Sequence, residues 1–449
     1  MKRRRLLGIV VATFLASALV FLLIDASRRY PVRLLPDGSE LAVLKVAFTN
    51  GYSYRHYRGT RFQRLLNDVV PAPWKQRLGL KNSGGGGFRF GDTNLTSLFL
   101  VTSQKGGSAS SPINLERIHL VDRDGSSFEA TWDAITLNEP KEIVQGWRFK
   151  AFPRRGKTVR CRFIYKDASD NYTNAAEIEV PNPAPGLHPT WTPEVMPLKR
   201  NDGDLSVTLL DFVAGLHRDQ DVLPQNKWYW IGRTTTRAEF EVEEAGKKNP
   251  PWKIQSLLVS DATGNRWKPG LEEPLGAPLG DRLELEFIGA LWPSEPAWKL
   301  RVEFSRTNDF APDELWTLPG IPVPATNQVS ALGSSYEVKG GQLQIVALGG
   351  VGAELQEPFR PLADGKSVNL ALTFIGHDLR LTLAKVVDNE GRSIPFREPY
   401  PWFESERSFA LELAGGAKSI SATFAVHRSR FVEFIVKPRQ VGKNLLNSQ

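Results

Sequence analysis

The side chains able to do chemistry are few and badly spaced for it. Six histidines, His56, His119, His188, His217, His377 and His427, stand singly. No two have the H-x-H or H-x-x-x-H spacing that brings two imidazoles to one metal ion. The only cysteine, Cys161, rules out an intramolecular disulfide and a thiolate zinc site built from sequence neighbours. It falls on the apolar register of Val159-Arg-Cys-Arg-Phe163 and reads as a buried hydrophobe, not a nucleophile. Asp122 and Asp124 before Gly125 hint at a calcium loop. The matching positions further on are Asp261 with Thr263 and Asp388 with Glu390, so what is shared is a turn. No G-x-S-x-G elbow occurs. Gly84 to Gly87 lacks the Gly-Lys-Ser/Thr of a phosphate loop. Glu241 and Glu243 alternate with apolar neighbours and read as the wet face of a strand. A glycosidase pair of carboxylates would have to come together across domains. The expectation is a non-catalytic protein with no cofactor and no metal.

One stretch does have the composition of a binding surface. Tyr52, Tyr54, Arg55, His56, Tyr57 and Arg58 crowd into seven residues. Tyrosine and arginine are enriched at binding hot spots, and arginine suits anionic head groups. Directly after them Phe62, Leu65, Leu66, Val69 and Val70 keep the spacing of an amphipathic helix, which Pro71 stops. Two roles compete. The helix caps the first domain while the tyrosines complete its core rim and the glycines form a slack loop. Alternatively, the tyrosines and arginines stand outward and meet lipid, a glycan or an envelope protein.

The element that must position everything else is Leu6 to Ile24, an uncharged run whose only polar members are Thr13 and Ser17. As a helix it spans about 28 Å, the thickness of a hydrocarbon core. It outruns a signal-peptide core of about 7–15 residues, and a cut after Ala18 would leave Leu19 to Ile24 exposed, so an uncleaved signal anchor is expected. Lys2 to Arg5 outweigh Arg28, Arg29 and Arg33, with Asp25 beside them. The positive-inside rule leaves the N-terminus in the cytoplasm and residues 28–449 outside, in the periplasm of a single-pass membrane protein. The formal net charge is +8; without Lys2 to Arg5, 53 basic residues face 49 acidic ones. That excess is too small to argue for nucleic acid as a partner.

The rest of the chain is internally repetitive. D-x-x-G turns recur at Asp122–Gly125, Asp261–Gly264 and Asp388–Gly391, each after an apolar strand. About forty residues later come Val159–Phe163, Leu300–Phe304 and Ile420–Phe424, alternating apolar with polar as half-buried strands do. The units open at Gly38, Gly203 and Gly341 and close on Val180-Pro-Asn-Pro183, Ile321-Pro-Val-Pro324 and Val436-Lys-Pro438. The first two share Phe152-Pro153 and Trp292-Pro293, which the third lacks. From opening Gly to Asp the first unit takes 84 residues against 58 and 47, so it holds an insertion, Asn50 to Asn94.

With 31 Pro and 38 Gly, short strands joined by turns are favoured throughout. The segments Asp261–Asn265 and Val387–Gly391 resemble hairpins of bacterial immunoglobulin-like and fibronectin-type repeats. That resemblance implies an architecture and no activity. The reading is mainly β: a cytoplasmic basic tip with one N-terminal transmembrane helix (together 1–27) and three tandem immunoglobulin-like β-sandwiches at 34–186, 195–326 and 334–440, then a tail, 441–449. Proline exits stiffen the links into a short rod. The expected role is a membrane-anchored scaffold or binding protein of the bacterial cell envelope. The competing one is a glycan-directed protein, a carbohydrate-binding accessory or a glycoside hydrolase.

Overall fold

The structure, a computed structural model, describes residues 30–55, 86–91, 96–106, 113–122, 127–129, 134–139, 142–166, 172–217, 234–248, 250–269, 278–279, 282–289, 291–351, 367–376, 378–398, 406–413 and 417–441, with positions 70 and 125. Leu6 to Ile24 and the tail beyond 441 lie outside them. Among the described residues the fold is mainly β, and no helix is long and apolar enough to cross a membrane.

The first group of strands comprises β1 (Val32–Leu34), β2 (Ser39–Thr49), β3 (Tyr52–Arg55), β4 (Gly87–Phe90), β5 (Ser97–Gly106), β6 (Leu115–Val121), β7 (Ser127–Glu129), β8 (Ala134–Glu139), β9 (Glu142–Phe149), β10 (Thr158–Lys166) and β11 (Tyr172–Pro181). They form one sheet in the order β1-β2-β5-β9-β8 and another in the order β11-β10-β6-β7. Leu98, Leu100 and Phe149 of the first sheet meet Leu120, Cys161, Phe163 and Ile178 of the second. Alternation drives this: Val159, Cys161 and Phe163 are buried while Arg160 and Arg162 face outward. Cys161 is fully enclosed, and burial pushes its thiol up to about 12.

The second group comprises β12 (Leu198–Asp202), β13 (Leu205–His217), β14 (Thr234–Glu244), β15 (Lys247–Lys248), β16 (Trp252–Asp261), β17 (Arg266–Trp267), β18 (Pro278–Leu279), β19 (Arg282–Ile288) and β20 (Trp298–Arg306). The third comprises β21 (Leu315–Pro322), β22 (Val329–Val338), β23 (Gly341–Gly349), β24 (Val368–Ile375), β25 (Leu379–Asp388), β26 (Phe396–Arg397), β27 (Glu406–Leu411), β28 (Ser419–Arg428), β29 (Arg430–Val436) and β30 (Arg439–Gln440). Each group again lays one sheet on another over a core, giving three sheet pairs.

The three D-x-x-G turns sit at equivalent places. Each ends the strand that pairs with the later strand of its group: β6 with β10, β16 with β20, β25 with β28. In each, the Gly amide donates to the Asp carbonyl, at 2.9, 3.3 and 3.0 Å, and Gly125, Gly264 and Gly391 have φ of 86°, 91° and 82°. A further shared feature was not legible in the sequence. The opening strands are bulged after Val43, Leu209 and Ile345, which reverses which side chains face the core halfway along each strand. The third group's opening turn differs from expectation by one residue: the left-handed glycine is Gly340.

The closing strands depart from the expected layout. Closing strand β11 pairs with β10 of its own group. The segment expected to close the second group, β21, pairs instead with β28, and β29 crosses back to pair with β20. The second and third groups thus exchange closing strands, so neither is bounded at 326 or 334. The physical reason lies in the connectors. Five residues separate β10 from β11 and eight separate β20 from β21, whereas only Ser429 lies between β28 and β29. One residue cannot reverse an antiparallel chain, so Ser419 to Val436 runs on from one sheet pair into the next. With β20 already paired, β21 takes the vacant edge of β28. Finally β30 adds in parallel to β13, so Val436-Lys-Pro438 leads into a strand, not a free tail.

Candidate functional site

The Tyr/Arg stretch forms β3, which pairs with β4 as a small sheet laid over the outer face of β5 and β9. Tyr52 stacks on Phe99 with centroids 5.4 Å apart, and Tyr54 lies 5.3 Å from Phe88. Burial pushes the Tyr52 phenol up to about 12, with Tyr54 and Tyr30 adding to the shift. These two tyrosines therefore turn inward, as the core-rim role has it, and not outward as the role of an interaction surface required. The period of two explains it: Tyr52 and Tyr54 share one face with each other, and Phe88 and Phe90 of β4 join them. Ser53, Arg55 and Arg89 occupy the opposite, exposed face. Gly87, the last of the glycine run, belongs to β4; a Cβ there would come within 2.8 Å of the Tyr54 carbonyl. His56, Tyr57, Arg58 and the sequence Phe62 to Val69 lie outside the described residues.

A second assembly of charged groups joins the first two sheet pairs, and its contacts are reciprocal. The loop after β9, Phe152-Pro-Arg-Arg155, docks on the second D-x-x-G turn. Asn265 donates to the Phe152 carbonyl at 2.8 Å and accepts from its amide at 3.3 Å, and Arg154 donates to the Thr263 carbonyl at 3.0 Å. In return the loop Trp292-Pro-Ser-Glu295 docks on the first such turn, the Ser294 amide donating to Asp122 Oδ2 at 3.2 Å. Between them Arg155 and Glu295, each three residues after the aromatic of its own loop, pair with each other: Nε to Oε2 and Nη2 to Oε1, both 2.8 Å. That is the pattern of a two-fold contact within one chain, with opposite charges where the two copies of one position meet. Burial raises the Glu295 carboxyl, opposed by Arg155, while the hydrogen bond to Glu295 raises Arg155. Arg154, buried between the Phe48 and Phe152 rings, is lowered by desolvation, opposed by the Asp261 charge.

A cavity of about 390 Å³ opens at this junction, lined among others by Asp122, Arg154, Arg155, Arg160, Glu179 and Glu295. Its carboxylates are already engaged in the fold. Glu295 is held by Arg155, Asp122 accepts from Ser294, and Glu179 accepts from Thr158. Chemically the arrangement fixes the orientation of two sheet pairs. Among the described residues no group of three or more His, Cys, Asp or Glu side chains has the geometry to hold a metal ion.

The exchanged strands are secured by a third charged centre. Glu303 on β20, only 2 % exposed, takes Arg380 of β25 at 2.5 and 2.7 Å and the hydroxyls of Ser256 and Ser429 at 2.6 Å. Burial pushes its carboxyl up, but hydrogen bonds from Arg380, Ser256 and Ser429 outweigh this and hold it below the usual range. Nearby, His427 lies under the Phe310 ring, centroids 5.2 Å apart, with Nε2 3.1 Å from the Thr382 hydroxyl.

Sequence reasoning marked the aromatic-proline pairs without assigning them contacts, and it missed Arg155, Glu295 and Glu303. For the first two a signal existed, in the opposite charges at one offset after the shared pair. Glu303 had none, because it alternates with Val302 and Phe304 as any outward residue would. Compared with protein-family models and with curated proteins, the chain matches none of either.

Proposed function

We propose that this chain is a membrane-anchored, non-catalytic scaffold or binding protein of the bacterial cell envelope. In this reading Leu6 to Ile24 is an uncleaved anchor in the cytoplasmic membrane. The remainder stands in the periplasm as three immunoglobulin-like sandwiches, the last two interlocked. One observation carries the reading: the two buried glutamates Glu295 and Glu303 are each paired with a partly exposed arginine, Arg155 and Arg380, that belongs to the neighbouring sheet pair. A protein that holds its parts in set orientations suits the presentation of surfaces at a distance from a membrane. The exposed face of β3 and β4, with Arg55 and Arg89, is the surface proposed to meet an envelope partner, a glycan or anionic lipid.

The test uses the full chain in intact cells. Protease added to spheroplasts should digest residues 28–449 and leave the anchor segment in the membrane; protection until lysis overturns the placement. Photo-crosslinkers at Arg55 and Arg89 should each yield a discrete lipid, glycan or protein adduct. Smears no different from a crosslinker at Glu337, on an exposed edge strand of the third pair, would remove β3–β4 as the binding face. The glycan-directed alternative draws on the junction cavity. Saturable binding of soluble peptidoglycan fragments that is lost in Glu179→Ala and kept in Arg55→Glu would favour it.

A further inference from the structure

We infer that the second sheet pair contains a strand-docking groove, bordered by β20 and β12, whose occupant is the chain's own later segment Arg430–Gln440, and that this segment docks after residues 151–304 have built the groove. The groove recognises an extended segment with large apolar residues at alternate positions. Val432, Phe434 and Val436 enter the second core, at 3, 0 and 0 % exposure, and Phe434 packs against Phe240 with centroids 6.0 Å apart. The remaining residues of that core all lie between 151 and 304, so until residue 436 arrives the core is open along one side.

Both edges of the segment are used. On one side β29 pairs with β20 from Trp298↔Val436 to Phe304↔Arg430. On the other, the Glu194 amide donates to the Ile435 carbonyl at 2.8 Å and the Phe431 amide to Asp202 Oδ2 at 3.3 Å. Further along, Gln440 donates to the Leu291 carbonyl at 3.1 Å. Main-chain pairing with side-chain pockets at alternate residues is how sheets recognise added strands. The segment has no place in its own group, because β21 occupies the edge of β28. The order follows from connectivity: the groove is built from residues 151 to 304, and the strand that fills it is made more than a hundred residues later. The presence of the chain as far as Val436 thus becomes a condition for closing the second sheet pair.

The test reads amide hydrogen exchange in a chain ending at Ser429 and in the full chain. The shortened chain should exchange at least tenfold faster in β13, β14, β16 and β20 while the first sheet pair is unaffected. A synthetic Arg430–Gln440 peptide should restore protection there, and the same peptide carrying Phe434→Asp should not. Undiminished protection in the shortened chain, or a peptide that protects β25 or β28 instead, overturns the inference. If the shortened chain precipitates, full-length Phe434→Ala decides. Faster exchange across residues 252–306, alone or together with the third pair, supports the groove, and faster exchange at 379–428 with 252–306 unchanged rejects it.

Discussion

At the scale of single residues, burial decides what each charged group does. His427 is 3 % exposed, and desolvation lowers its imidazole to about 4. Glu314 opposes the shift, whereas Arg306 and Arg407 add to it. The unfolded chain, with an imidazole near 6.5, therefore binds more protons than the folded one between these values. Stability present above pH 6.5 is lost as pH falls toward 4, by about 3 kcal/mol at most. Urea unfolding of the full chain at pH 7 and pH 4.5 should record this loss in the second and third sheet pairs. His427→Gln should flatten the pH dependence; an unchanged slope would assign it to carboxylates instead.

At the scale of elements, glycines separate two kinds of constraint. Gly264 and Gly391 both need positive φ, but a Cβ on Gly391 meets nothing within 4 Å, whereas one on Gly264 comes 3.3 Å from Arg154 Nη1. Gly391→Ala should cost about 1 kcal/mol for the left-handed backbone alone. Gly264→Ala should cost more and loosen the first junction, seen as faster exchange at Phe152 and Asn265. Gly146 has a different task. A Cβ there would lie 2.3 Å from Phe88 Cε2 and 3.0 Å from Phe90 Cε2, so its bareness lets the β3–β4 sheet lie flat on β9. Gly146→Ala should release residues 52–55 and 87–90 to rapid exchange with little change in the first core. Loss of the whole first pair's protection would contradict that layering.

At the scale of the molecule, the junctions make cooperativity predictable. The second and third sheet pairs share closing strands and the Glu303–Arg380 link, so neither can unfold without opening the other. A single denaturant transition should report Trp298 of the second core and Trp316 of the third together. Trp316→Ala should shift that transition as a whole by about 2–4 kcal/mol. Two separated transitions for these groups would show the exchange to be energetically minor. The first pair docks chiefly through its loops, with β7 also beside β14, and Arg155→Ala should loosen that contact while leaving the first pair's own midpoint nearly unchanged.

Period-two alternation, D-x-x-G turns and repeated order are local properties, so the sequence alone determined the β class, the equivalence of the three turns and the burial of Cys161. The strand exchange also left a local trace: from Ser419 to Val436 no Gly, Pro, Asn or Asp interrupts the chain, while Lys166-Asp-Ala-Ser-Asp170 and Arg306-Thr-Asn-Asp309 each offer a turn. Partner choice left none. Which edge receives β21 or β29 depends on which edge is already taken, and that is a competition among surfaces far apart in the chain. The inward tyrosines follow the same logic. A residue on a strand of alternating side chains can face water or a neighbouring layer, and only the arrival of β4 over β5 and β9 settled which face of β3 became the inside.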